Sequence, residues 1–415
     1  MPEAIDLLPD AAELARIRRR TLWLLSSGQI LGGIAFGATI SLGAILATEL
    51  SGDEAFSGWA TAAVTLGAAA FAIPLAALAR RSGRRPALAV GLSVALAGVL
   101  LVIGAVAAAS FPLLLAGVVL IGAGQAANLQ SRFAAADLAT DSSRGRDISV
   151  VVWATTVGAV LGPNLVGPGQ VLGDLVGMPP LTGPYLFTIV AQVLAVILYV
   201  AALRPDPLVL AQRLVARDAA GSGPRIARAD RPVAARYAIL AIAASHGTMV
   251  AVMAMTPVHL VHHGASLTIV GLTISLHIAG MYALSPVFGI LADRIGRVTT
   301  VLVGQGLLAA SLLVSGLGQS SNTAVTIGLV LLGLGWSAST VAGAALLVET
   351  SSETMRTRRQ GRSDLAMNLV GAAGAILAGI ILGWIGFGGL AFVTLALVVL
   401  VVAASPLARS GREGA

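Results

Sequence analysis

Apolar residues along the chain gather into twelve long runs, near 22–48, 57–79, 87–109, 111–139, 147–173, 181–203, 237–260, 267–292, 298–318, 322–349, 364–384 and 386–405, with short polar stretches between them. A helix rises about 1.5 Å per residue, so roughly 20 such residues match the ~30 Å hydrocarbon layer of a bilayer. The pattern predicts an all-α membrane protein with twelve spans, numbered here in chain order. The expected organisation is a tail over 1–21, a six-helix bundle over 22–203, a connector over 204–236, a second six-helix bundle over 237–405 and a tail over 406–415. Gly-Ser-Gly-Pro at 221–224 gives the connector the composition of a hinge-like linker.

Composition agrees with the bilayer as solvent. Hydrophobic residues make up 57% and charged residues 11% of the 415 positions, and the mean hydropathy is +0.90. Cysteine is absent, which excludes disulfides, thiolate metal sites and a cysteine nucleophile. Lysine is absent too, since all 26 basic residues are arginine; this removes the phosphate-loop lysine of an ATP-driven pump and any lysine Schiff base. The net charge of +7 would point to nucleic acid in a soluble chain. Here the arginines flank apolar spans, so they set topology and no nucleic-acid partner is expected.

Arginines cluster before span 1 (Arg16, Arg18, Arg19, Arg20), after span 2 (Arg80, Arg81, Arg84, Arg85), after span 4 (Arg144, Arg146), after span 8 (Arg294, Arg297) and before span 11 (Arg356, Arg358, Arg359, Arg362). The connector adds Arg204, Arg213, Arg217, Arg225, Arg228, Arg231 and Arg236. The opposite loops hold Glu49, Asp53, Glu54, Asp174 and a histidine group without arginine. By the positive-inside rule both ends and the connector are expected in the cytoplasm of a bacterial inner membrane. The start of the chain has no cleavage site after a short apolar core, and is expected to be retained.

The halves repeat. Leu-Ala-Arg-Arg-Ser-Gly-Arg-Arg (78–85) matches Leu-Ala-Asp-Arg-Ile-Gly-Arg-Val (291–298), with Gly83 and Gly296 an interval of 213 apart. Asp137, closing span 4, matches Glu349, closing span 10, at an interval of 212. Two landmarks in one register indicate duplicated bundles, a common basis of transporters.

The 289–297 stretch, Gly289-Ile-Leu-Ala-Asp293-Arg294-Ile-Gly296-Arg297, resembles the loop that marks the major facilitator superfamily. Asp293 at a helix end can accept from Arg294, from Arg297, or from the free amides that open a neighbouring helix. A plain topogenic turn is the alternative. The first copy carries Ala76 and Arg80 where that family has glycine and an acid, and span 11 opens with Asp364. A reversed pair, Arg80 with Asp364, is therefore expected to hold the cytoplasmic side closed.

Asp137, Asp141, Arg144, Arg146 and Asp147 resemble the loop between the fourth and fifth helices of drug-exporting members, and Gly158, Gly162, Pro163 and Gly167 are similar to their antiporter motif. Glycines four apart form a stripe for close helix contact and proline bends its helix; ordinary packing explains the same stripe. The resemblance implies the major facilitator fold, with two pseudo-symmetric six-helix bundles rocking about a midplane site, and the twelve-helix drug:proton antiporter branch. With Gly83 and Arg84, these loop residues form the expected conformational gate.

Polar groups inside spans are costly, so they mark candidate cavity walls. Gln125, Asn128 and Arg132 share a face of span 4, with Arg132 either lining the cavity, pairing with a carboxylate, or snorkelling to the interface. Gln29, Trp153, Met281, Trp336 and Asn368 complete the candidate cavity. No carboxylate lies near the middle of any predicted span, so His277 and His246 are the candidate proton sites, packing histidines being the alternative. His259, His262 and His263 lack acid or thiolate companions, and no metal or cofactor is expected.

The expected function is secondary active transport, as proton-coupled efflux of amphipathic small molecules by a monomer. A metabolite carrier is the alternative. A sensor or membrane enzyme fits poorly, because the interior lacks carboxylate pairs and nucleophiles.

Overall fold

The structure is a computed structural model that describes residues 9–53, 56, 59–220 and 230–409, without the side chains of 36–41, 44, 160, 163, 217–220, 267 and 268. Glu54, Arg217, Arg225, Arg228 and the 221–224 stretch thus lie, wholly or in their side chains, outside the described residues. The described chain is mainly helical and contains no strand.

Fourteen helices follow in order: α1 (Ala11–Ser51), α2 (Trp59–Ser82), α3 (Arg84–Ala107), α4 (Phe111–Asp137), α5 (Arg144–Asn164), α6 (Val166–Leu175), α7 (Tyr185–Ile197), α8 (Pro207–Ala220), α9 (Pro232–His262), α10 (Leu267–Tyr282), α11 (Ser285–Ile295), α12 (Arg297–Leu317), α13 (Asn322–Glu349) and α14 (Glu353–Ala403). Nine stretches among the described residues are each long and apolar enough to cross a membrane. α1 adds a crossing, because Arg18 meets Asp147 near one end while Leu46 packs with Ala60 near the other. α5 and α6 together add another, broken at Leu165 just beyond Pro163.

α14 supplies two crossings in one continuous assignment. Gly386 leaves helical geometry at φ 72° and ψ −178°. The chain runs up from Gly361 against Ala76, turns where the Gly388 amide donates to Gln319 Oε1 at 2.8 Å, and returns to bury Val401 in the same cluster as Val348. Twelve crossings result, arranged as two six-helix bundles.

The repeat is visible in geometry as well as in sequence. Gly83 and Gly296 share φ 96°, a conformation that side-chain-bearing residues rarely adopt, so both loops turn sharply on glycine. Directly after each, an arginine opens a helix and pairs with the acid that closes the next: Arg84 with Asp137 at 2.8 Å, Arg297 with Glu349 at 3.2 Å. Ser110 and Ser321 cap α4 and α13 in the same way, each accepting from the amide three residues on.

Two boundaries differ from the sequence reading. α14 begins at Glu353, 11 residues before the expected start of span 11 at Asp364. The connector contains α8, whose Leu208, Leu210 and Ala211 are buried against the bundle while Arg213 and Val215 face outward. The connector's end is fixed as well: the Arg231 amide donates to the Thr350 carbonyl, and Arg359 holds Asp230 through two bonds of 2.7 Å.

Candidate substrate and coupling site

At mid-depth, three helices of the second bundle converge on His246. α9 carries it 14 residues beyond Pro232, and α13 carries Trp336 13 residues before Glu349. At about 1.5 Å per residue both lie roughly 20 Å from the arginine-rich end. The Trp336 indole N–H donates to His246 Nδ1 at 3.1 Å. Indole nitrogen has no acceptor capacity, so neutral His246 carries its proton on Nε2. The ring sits against Gly371 of α14, where an added Cβ would come within 2.7 Å of it. Tyr282 meets the Trp336 ring edge-on, with centroids 5.7 Å apart.

Closer to the arginine-rich end lies a buried ion pair that joins the bundles. Arg132 of α4 reaches Asp364 of α14 at 2.6 Å, and neither side chain is exposed by more than 3%. Met367 Sδ approaches the same guanidinium at 3.9 Å, and the Asn368 amide donates to the Asp364 carbonyl at 2.8 Å. The other carboxylate oxygen of Asp364 has no partner among the described residues. This corrects two expectations. Arg80 is exposed and does not pair with Asp364. A carboxylate does lie inside a span, since Asp364 sits 11 residues into its helix, about 16 Å from the start.

The candidate residues of the first bundle are more polar. Gln29 is buried and bonds Thr155 at 3.4 Å. Asn128 packs its amide over Gly32, and Gln125 keeps a buried oxygen without a partner among the described residues. Trp153 is 43% exposed, one turn beyond Ser149 on α5.

Other candidates fall elsewhere. His277 is wholly buried between α10 and α13 and bonds the Leu329 carbonyl at 2.7 Å, inside one bundle. It sits in the packing between these helices, with Nε2 buried and without a hydrogen-bond partner among the described residues. Met281 is buried in the same bundle's apolar core. His259 bonds the Gln319 carbonyl and stacks on Phe387, and no group of metal-binding residues forms among the described residues.

The gate residues concentrate at the arginine-rich end. Asp293 accepts from the amides of Gly145 and Arg146, both at 2.9 Å, at the opening of α5, and from Arg297 at 3.1 Å. Arg294 is exposed and stays outside that set. Arg297 also bonds the Asp141 carbonyl, Arg144 pairs with Asp141 at 2.7 Å, and Gly289 packs on Gly145 and Ser149. Arg84 adds a bond to Gln360 of the other bundle at 2.6 Å, a contact that sequence alone did not single out. Among the described residues, hydrogen bonds between the bundles all lie in the arginine-rich half. Of the glycine motif, Gly158 makes a close approach to Gly33, with an added Cβ only 2.7 Å from its Cα. Gly167 stands in open space, so the stripe does not continue past Pro163, whose side chain is outside the description.

The Major Facilitator Superfamily matches residues 25–264 and 237–414. The chain belongs to the major facilitator superfamily. MFS-type transporter YddS of Bacillus subtilis (strain 168), itself uncharacterized, is 38% identical over 373 residues, 88% of this chain and 85% of its own length. Riboflavin transporter RfnT of Brucella anthropi is 30% identical over 358 residues, 85% of this chain and 86% of its own length. The human organic anion transporter MFSD10 superposes with a TM-score of 0.71 at 20% identity, covering 94% of this chain and 99% of its own. The proton:xylose symporter XylE gives 0.69 at 14% identity, covering 94% and 95%, and these two likenesses concern the fold. As a major facilitator, the chain is a multi-pass secondary transporter of small molecules and not an enzyme.

Proposed function

We propose that the protein exports amphipathic, aromatic small molecules by alternating access, with proton movement coupled to the Arg132–Asp364 pair. The observation that carries this reading is the pair itself, a fully buried ion pair that bridges the two bundles beneath an aromatic and amide-lined mid-depth site. Opening the arginine-rich end requires the bundles to separate there. Separation strands two buried charges, which costs several kcal/mol per partner lost. A proton on Asp364 removes one charge, and an acidic or polar group of the cargo can satisfy the other. His246 adds a second proton-sensitive contact, because protonating Nδ1 places a donor against the Trp336 N–H and breaks that bond.

In this reading the arginine-rich end faces the cytoplasm, and the structure is the state closed on that side. Asp293 then latches the closed end by accepting from the free amides of α5, where the helix dipole favours a negative charge. The cargo class follows from the lining. Tyr282 and the His246 ring, both partly exposed and backed by Trp336, offer flat faces, while the amides are too few for the convergent bonds a sugar needs.

A second reading, a carrier of a metabolite, draws on the likeness to riboflavin transporter RfnT. A planar heterocycle with polar edges suits the same mixture of rings and amides. Purified protein in liposomes separates the readings: dye-like aromatic acids and riboflavin are each offered with and without an imposed pH gradient. Gradient-driven movement of the dyes, lost in Asp364→Asn, supports export; movement of riboflavin alone supports the second reading. Movement of neither compound class contradicts both cargo assignments.

A further inference from the structure

A cavity of about 290 Å³ opens at the arginine-rich end between the start of α3 and the start of α8, lined by Arg85, Arg204, Pro205, Asp206, Val209, Leu210 and Arg213. A water occupies about 30 Å³ of liquid, so the space exceeds the needs of a single small ion. Its one carboxylate is already engaged. Asp206 accepts from the amides of Arg85 at 2.7 Å, Leu208 at 3.0 Å and Val209 at 3.2 Å, and it lies against the tight turn at Gly83. The Arg85, Arg204 and Arg213 guanidiniums make no ion pair or hydrogen bond among the described residues. Three cations therefore face one satisfied anion, and the surplus is positive.

Along the chain, an exposed apolar segment leads up to the cavity. Val190, Leu194 and Ile197 lie at four- and three-residue spacing along α7, and Val200 lies in the π-helical turn Leu198–Ala202 that follows it; each is 45–56% exposed, and the chain reaches Arg204 two residues beyond that turn. A positive pocket at the foot of a lipid-facing stripe matches the two parts of one ligand. We propose that this cavity binds the phosphate of an anionic phospholipid, whose acyl chains lie along the α7 stripe. Basic pockets at helix ends recognise anionic headgroups by this chemistry, each arginine strengthening binding about fivefold.

The test uses purified, delipidated full-length protein and three probes, phosphatidylglycerol, phosphatidylcholine and inorganic phosphate, with binding read by native mass spectrometry and by the thermal unfolding midpoint. Wild type is expected to bind phosphatidylglycerol selectively and to unfold at a higher temperature with it. The Arg85→Gln/Arg204→Gln/Arg213→Gln variant is expected to bind it on the order of 100-fold more weakly. Arg19→Gln/Arg358→Gln/Arg362→Gln removes the same charge from exposed positions outside the cavity and is expected to bind as wild type. Equal loss in both variants, no loss in the first, or equal binding of phosphatidylcholine would overturn the site. Inorganic phosphate matching phosphatidylglycerol would overturn the lipid and leave only a phosphate ion as its occupant.

Discussion

Arg132 and Asp364 should respond unequally to substitution, because each loss leaves a different partner behind. Arg132→Met strands a carboxylate that is wholly buried and has one oxygen already unpartnered, a change expected to cost about 3–5 kcal/mol of stability. Asp364→Asn keeps an acceptor for the guanidinium and is expected to cost less. The double replacement should recover much of the single loss, since a buried pair exchanged for neutral groups is often close to neutral. Urea unfolding or thermal midpoints of the three variants check the order; additive losses would show that the two residues do not act as a pair. The histidines divide in a similar way. His246→Asn is expected to change the pH profile of transport, as it removes the Trp336 contact, whereas His277→Asn is expected to lower stability and leave the profile in place. A pH response unchanged by His246→Asn, measured in liposomes, would exclude that residue from coupling.

Individual helices were largely legible in the sequence, and their errors have a physical cause. Hydropathy located the twelve runs because the bilayer selects about 20 apolar residues at a time. It misplaced the start of span 11, since Arg356, Arg359 and Glu353 make the first turns of α14 polar while pairing with one another and with Asp230. That error carried Asp364 from a helix interior to a helix end and hid the carboxylate. Choosing Arg80 over Arg132 as its partner failed for a related reason: the partner depends on how α4 and α14 are rotated, and side-chain spacing along one chain does not contain that. Gln360, Tyr282 and Asp206 gave no signal strong enough to stand out among ordinary polar residues. The glycine stripe was half legible. Gly158→Leu is expected to destabilise by about 1–3 kcal/mol or more, because even a Cβ would lie 2.5 Å from the Ile30 carbonyl oxygen. Gly167→Leu, with nothing near it, is expected to be tolerated, and comparable losses in thermal unfolding would contradict the packing described for α1 and α5.

Across the whole molecule, the connector is tied to the second bundle as well as joined to it. The Arg359 hydrogen bond holds the Asp230 carboxyl below the usual carboxylate range, helped by the Ser352 amide. A depressed folded value means that this tie stabilises the protein above the ordinary carboxylate pKa of about 3.9 and is lost as pH falls through the lower value. Protease nicking of the connector should therefore rise on strong acidification, and Asp230→Asn should raise it already at neutral pH. Nicking that is independent of both pH and this substitution would mean that the contact does not restrain the connector.

The duplicated fold sets two bundles side by side, and among the described residues the hydrogen bonds between them lie at the arginine-rich end. The absence of native cysteine allows spin labels at chosen pairs, Ser142→Cys with Arg358→Cys across the arginine-rich end and Val176→Cys with His262→Cys across the other. Double electron–electron resonance on both pairs, in wild type at neutral and acidic pH and in Asp364→Asn at neutral pH, tests alternating access most directly. Acid and Asp364→Asn should each lengthen the first distance while shortening the second. Two distances that stay fixed under every condition, or that lengthen together, would contradict the account.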